Sequence, residues 1–249
     1  MPEGPSIVIL RELIEELHLE SSRVVAVEGN TSIDKERMLN QTILAFRSWG
    51  KHFLICFSGF TLKVHFMMFG TYLINERKDR PVRLSMVFEN DEINFYSCSL
   101  KFIEGDLDEV YDWEADVLSD QWNPYAAGIK LKEKPNALVC DILLDQNIFA
   151  GVGNIIKNEV LYRIGVHPLN KVGDLPVVKL NSLIKEAREY SFDFLAWKKE
   201  YTLKKHWLIN TKKTCPLGHP VFKDYLGKTN RRTFFCTICQ EMYGDPLVI

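Results

Sequence analysis

No stretch of this chain approaches the roughly 18–20 consecutive apolar residues that a bilayer-spanning helix needs, so a membrane protein is not expected. The chain does not open on a basic segment followed by an apolar one, which argues against a secretory leader. There is no internal repeat and no low-complexity tract. An excess of positive charge is also missing: 31 Lys and Arg stand against 33 Asp and Glu, for a net charge of −2. Taken alone, that balance argues against a nucleic-acid partner. With 249 residues, 46% of them hydrophobic and 26% charged, the chain is long enough for one large domain or two ordinary ones with a real core. A soluble intracellular protein is the expectation.

The charge that is scarce overall is concentrated locally. From Glu89 to Asp120 there are eleven acids and one base, Lys101. From Tyr201 to Phe235 there are eight Lys and Arg and one acid, Asp224. Such asymmetry points to a polyanion for the basic end, against the plainer alternative of solvated faces. Cysteine is similarly uneven. Cys56, Cys98 and Cys140 are scattered in apolar or mixed surroundings and read as ordinary thiols. Cys215, Cys236 and Cys239 gather near the C-terminus with His219.

The hydrophobic pattern changes three times. Ile7 to Leu19 is amphipathic at helical spacing, with Leu10, Leu13, Ile14 and Leu17 on one face and Pro5 and Ser6 preceding it. Short β-rich runs follow from about Val24 to Val110, which suggests a sandwich or barrel. The acidic, irregular stretch from Asp106 to Gly128 reads as an inter-domain passage. Helices return from Asn136 to about Lys199, in "ALVCDILLDQN", "NIIKNEVLYRIG" and a long segment near Val178 to Lys198. The predicted division is 1–122, 123–204 and 205–249.

The last segment is too short for a core of its own and would need a metal. Cys215-x3-His219 and Cys236-x2-Cys239 are two close pairs separated by a loop, an arrangement that suits a closed tetrahedral Zn²⁺ site. Between them "VFKDYLGKTNRRTFF" reads as a hairpin with Gly227 and Asn230 near its turn and Arg231 and Arg232 at the tip or on the return strand. A metal-stapled hairpin presenting arginines suits nucleic-acid binding. "GVGNIIKNEVL" places Gly151, Gly153 and Asn154 at a helix start, where backbone N–H groups are open to an anion. Asn154 can cap that helix or donate its amide to phosphate, and a plain helix–turn–helix connection accounts for the glycines about as well.

"MPEGP" at the start, Gly50-Lys51, "LLDQNIFAGVGNIIKNEVLYRIGVHP" in the middle and "RRTFFCTICQ" at the end occur in one order. Together they resemble the formamidopyrimidine-DNA glycosylase / endonuclease VIII family. The resemblance implies an α+β multidomain fold: an N-terminal β-sandwich with a leading helix, a helix–two-turn–helix domain and a C-terminal zinc-finger hairpin. It implies a base-excision-repair glycosylase with abasic-site lyase activity, one structural Zn²⁺, damaged duplex DNA as partner, and a monomer. A cytoplasmic, nucleoid-associated protein of bacterial type is expected.

Pro2 would be the nucleophile, its secondary amine freed by removal of Met1. Glu3 would be the general acid and Lys51 a contact to the phosphate flanking the lesion and to the reacting sugar. Asn154, Lys157 and Arg231 are carried over as DNA-binding residues. Met68, with Met67 and Phe69 beside it, falls at the position that fills the gap left by an extruded base. Three departures stand out. Ser6 replaces a frequent second acid. The first ligand pair ends in His219 rather than cysteine. "YSCSLKF" lacks the arginine that guanine-lesion members place opposite the flipped base, and the stretch from Phe194 to Cys215 is short for their lesion-capping loop. The missing arginine and the short stretch, together with "MPEGP", favour the endonuclease VIII side and oxidised pyrimidines. An 8-oxoguanine/formamidopyrimidine glycosylase and a non-catalytic damage binder remain as alternatives.

Overall fold

The structure is a computed structural model and describes residues 2–244. The chain forms two compact units, one up to Tyr111 and one from Asp112. No helix among the described residues is long and apolar enough to cross a membrane.

The first unit opens with α1 (Gly4–Glu15) and continues through β1 (Ala26–Glu28), β2 (Ala45–Trp49), β3 (His52–Cys56), β4 (Phe60–Ile74), β5 (Leu84–Val87) and β6 (Glu92–Glu104). The helix starts earlier than the amphipathic pattern suggests. Pro5 and Ser6 lie inside its first turn, where proline loses no hydrogen bond because the first N–H groups have no helical partner. It also ends earlier, at Glu15, before His18 turns to a positive φ of 54°. Its apolar stripe, Ile7, Leu10 and Ile14, is buried against β2 and β3.

The strands form one antiparallel series in the order β1-β5-β6-β4-β3-β2. Strands from both halves of that series contribute to a single apolar cluster, including Phe53, Leu62, Val64, Leu84, Met86 and Phe95. The result is a β-sandwich whose leaves are continuous through the long β4 and β6. Alternation along these strands supplies the buried face.

Two 3₁₀ turns capped by Asp106 and Asp112 lie in the acidic passage noted in the sequence, the first at the end of the first unit and the second at the start of the second. Then come α2 (Pro124–Lys132), α3 (Val139–Ile142), α4 (Asn154–Arg163) and α5 (Val177–Lys199). The helix predicted through "ALVCDILLDQN" is cut to one turn. Asp145 takes the amide of Asn147 on its side chain at 3.0 Å and those of Ile148 and Phe149 on its carbonyl, turning the chain instead. Val139, Leu143, Phe149, Val152, Val160, Leu183 and Tyr190 form the core among these helices. A hairpin, β7 (Phe222–Leu226) and β8 (Arg231–Phe235), closes the unit. Gly227 (φ 75°) and Asn230 (φ 46°) sit in its four-residue turn, as the sequence suggested.

Candidate DNA-repair site

In the first unit the candidate residues lie where chain direction changes. Glu3 occupies the position before α1 and is 3% exposed, while Pro2 is half-buried beside it. The Glu3 carbonyl accepts the amide of Ser6 at 2.8 Å, so the start of the helix fixes the backbone that carries both residues. Lys51 belongs to the two-residue turn between β2 and β3 rather than to a strand, and Gly50 supplies the positive φ of 53° that the turn needs.

A ring cluster surrounds that turn. His65 Nδ1 lies 3.2 Å from the Lys51 carbonyl, and His52 Nδ1 lies 3.2 Å from the Tyr111 hydroxyl. The His52 and His65 rings meet edge to face at 5.2 Å, and Trp49 packs on Tyr111 at 4.9 Å. Burial pushes His52 down to about 3, helped by Lys63, His65 and Lys51. Burial also lowers His65. A neutral His65 can donate from Nδ1 to the Lys51 carbonyl.

Met67, Met68 and Phe69 are 53%, 61% and 80% exposed. Strand alternation predicts that one or two of the three face the core. All face outward because β4 is bulged: Phe66 pairs with Cys98 and Thr71 with Tyr96, so four residues of β4 stand opposite Ser97. Gly70 closes the bulge. A β-carbon there would lie 2.7 Å from Phe66 Cβ and from the Ser97 carbonyl.

In the second unit the structure brings several candidates together. Asn154 does not cap α4. It is the first helical residue, and its Nδ2 donates to the Arg232 carbonyl at 2.7 Å. Lys157 requires a correction. It is 1% exposed, so its ammonium is not on the surface where a phosphate would meet it. Its Nζ donates to Asn154 Oδ1 at 2.9 Å and to Thr233 Oγ1 at 2.7 Å. Arg231 and Arg232 are exposed at the start of β8, with Arg232 5.6 Å from the Phe234 ring. The hairpin turn is held from α3: Asp141 accepts the Lys228 amide at 2.9 Å, so close that a β-carbon on Gly227 would collide with its carboxylate. Lys204, Lys205, Lys213, Lys223 and Lys228 are exposed on the same segment of sequence.

Three residues that matter here escape sequence reasoning. Gln146 braces the glycine loop, accepting the Gly151 amide at 3.1 Å and donating to the carbonyls of Leu144 and Val152. Buried Glu159 accepts the amides of Leu208, Ile209 and Asn210 at 2.8–3.1 Å. Thr233 links Lys157 to β8. Only "LLDQN" and "KNEVL" hint at the first two, and nothing in the sequence marks the third.

Cys215, His219, Cys236 and Cys239 converge with their donor atoms within 4.8 Å of one another. Cys215 and Cys239 sulfurs are 3.8 Å apart, and His219 Nδ1 is 3.2 Å from the Cys239 sulfur. Sulfurs bound tetrahedrally at about 2.3 Å would stand near that first separation, so the set fits a single metal ion.

Fold and ligand cluster define a β-sandwich followed in sequence by a helix–two-turn–helix unit with a hairpin whose Cys215, His219, Cys236 and Cys239 could hold a metal ion. The structure superposes on a viral DNA glycosylase with a TM-score of 0.82 at 23% identity, covering 96% of this chain and 100% of that one. It superposes on Lactococcus lactis Fpg in complex with abasic-site DNA with a TM-score of 0.83 at 19% identity, covering 96% and 99%. The formamidopyrimidine-DNA glycosylase N-terminal domain model matches residues 1–102, and the H2TH domain model of the same enzyme matches residues 115–190. The chain belongs to the formamidopyrimidine-DNA glycosylase / endonuclease VIII family. It is 32% identical to Homo sapiens endonuclease 8-like 3 over 89% of this chain and 38% of the relative. It is 33% identical to Bos taurus endonuclease 8-like 2 over 72% of this chain and 58% of the relative. The chain thus spans less than two thirds of the length of these curated relatives.

Proposed function

We propose that the protein is a base-excision-repair DNA glycosylase with abasic-site lyase activity, acting on oxidised pyrimidines in duplex DNA. The observation that carries this reading is the Pro2-Glu3 pair at the start of α1, with a buried carboxyl next to a half-buried proline, inside the segment matched by the N-terminal family model.

The reading requires Pro2 to be the first residue of the mature chain. An α-amino group titrates near pH 8, so part of it is unprotonated at neutral pH and nucleophilic. Attack on C1′ expels the damaged base and leaves an iminium. The iminium acidifies the C2′ proton, and the 3′ and then the 5′ phosphate are eliminated. Glu3 supplies the proton for departure of the base and opening of the sugar, a task suited to a carboxyl adjacent to the nucleophile. Lys51 meets the flanking phosphate, and Asn154 and Arg231 hold another. Met67, Met68 and Phe69 fill the stack after the nucleotide swings out, which accounts for so much apolar surface left in water. Cys215, His219, Cys236 and Cys239 would hold one Zn²⁺, which supplies structural closure of the hairpin. The missing arginine in Tyr96–Phe102 and the resemblance to the endonuclease VIII side of the family support pyrimidine over purine lesions.

Borohydride reduction in the presence of abasic duplex tests the core of this. The wild type should be trapped on DNA, and Pro2→Gly should lose most of the adduct. An untrapped wild type that still binds DNA would favour a non-catalytic damage binder. Thymine glycol and dihydrouracil duplexes should be cut faster than 8-oxoguanine opposite cytosine.

A further inference from the structure

Lys157 is buried, yet it sits directly behind the residues assigned to hold a phosphate. An ammonium has donors only, so whatever meets it must accept. On one side it meets Asn154 Oδ1 at 2.9 Å. That contact decides which way the Asn154 amide points. Flipped, the amide would bring its NH2 against the ammonium, donor to donor, and its oxygen against the Arg232 carbonyl, acceptor to acceptor. The observed orientation satisfies both, with Nδ2 giving one hydrogen to the Arg232 carbonyl at 2.7 Å. An amide NH2 carries a second hydrogen. On its other side the ammonium meets Thr233 Oγ1 at 2.7 Å, and that hydroxyl donates to the Arg231 carbonyl at 2.9 Å. A buried charge therefore holds the start of α4 and the start of β8 in one bonded arrangement.

We propose that Lys157 is a positioning residue for phosphate recognition: it fixes the Asn154 amide with its NH2 turned toward β8 and holds the Arg231–Thr233 backbone beside it, so that Asn154 and Arg231 offer donors to one phosphate group of DNA. The inference rests on the functional reading above. It assigns Lys157 a role through other residues, not a contact of its own. Methionine at 157 would fill the same space but leave the amide free to turn.

A double-mutant cycle separates this role from simple packing. The full zinc-loaded chain and its Lys157→Met, Asn154→Ala and doubly substituted forms are titrated against a duplex carrying a tetrahydrofuran abasic analogue, with melting temperature and zinc content measured alongside. Each single change should weaken binding roughly tenfold, the scale of one hydrogen bond involving a charged group. The double variant should be no more than about twofold weaker than either single one, because both act on the same amide. Zinc content should stay at one per chain in all forms. Thr233→Val, which removes the other acceptor, should weaken binding in the same non-additive way and serves if Lys157→Met does not fold. Losses that multiply to roughly a hundredfold, or binding unchanged by Lys157→Met, overturn the proposal while leaving the functional reading intact. A wild type without affinity for this duplex overturns both.

Discussion

Two antiparallel sheets in this molecule are held by different means. The β-sandwich is built around a large cluster of buried apolar side chains fed by every strand except the short β1, with α1 closing one side. The β7–β8 hairpin has Ile209, Cys215, Phe234 and Cys236 as its buried cluster, and two of those four are ligand-type cysteines. What apolar burial does for the first sheet, polar tethers must do for the second: Asp141 at the turn, Lys157 and Asn154 at the return strand, Glu159 under the 208–210 backbone, and Gln240 donating to the Val166 carbonyl at 2.9 Å. The proposed function would account for the difference. A sandwich core would fix the proposed nucleophile and acid at a helix start, while a hairpin proposed to meet a charged backbone would have to leave its cationic side chains in water.

The largest effect should come from the metal. Structural zinc in finger peptides contributes roughly 10–16 kcal/mol of apparent binding free energy, far beyond what four buried side chains supply. Chelation, or Cys236→Ala, should abolish amide protection across β7–β8 in hydrogen exchange while the β4–β6 ladder stays protected. Equal loss in both sheets would break the contrast.

Next is the sandwich core. Phe95 is fully buried, packed 6.2 Å from the Phe53 ring. Phe95→Ala should cost about 3–5 kcal/mol in denaturant unfolding and leave zinc content unchanged. The smallest expected effect is electrostatic. Burial holds the His52 proton affinity at about 3, below its ordinary value of 6.5. The unfolded chain therefore binds a proton that the folded one refuses. Stability is full above pH 6.5 and falls progressively as the pH drops toward 3. Discounted for partial exposure, roughly 1 kcal/mol should go between pH 6.5 and 5. His52→Gln should flatten that part of the profile. An identical slope in the variant would remove His52 from the account.

Much of this was legible in sequence, for reasons that can be named. The order of sandwich, helices and hairpin follows from hydrophobic period, which changes from helix to strand and back in the observed order, although α2 (Pro124–Lys132) begins inside the stretch that reads as an irregular passage. The ligand set follows from spacing, because two close pairs are short enough to converge without help from the rest of the fold. The hairpin turn follows from Gly227 and Asn230, which tolerate positive φ. What was not legible depends on long-range partners. Lys157 reads as a surface cation because lysine almost always is, and only Thr233, 76 residues away, reveals otherwise. The β4 bulge is invisible to alternation, since extra residues leave the pattern intact on either side. The truncated α3 turns on Asp145 bonding back to the amide of Asn147, a local competition that helical spacing does not register.

The central claim is chemical: the reacting amine is that of Pro2. Mapping the borohydride-trapped adduct by peptide mass spectrometry tests it most directly. The account predicts a deoxyribose remnant on a peptide that begins at Pro2, with Met1 absent. A remnant on Lys51, or an adduct formed by protein that still carries Met1, would contradict it.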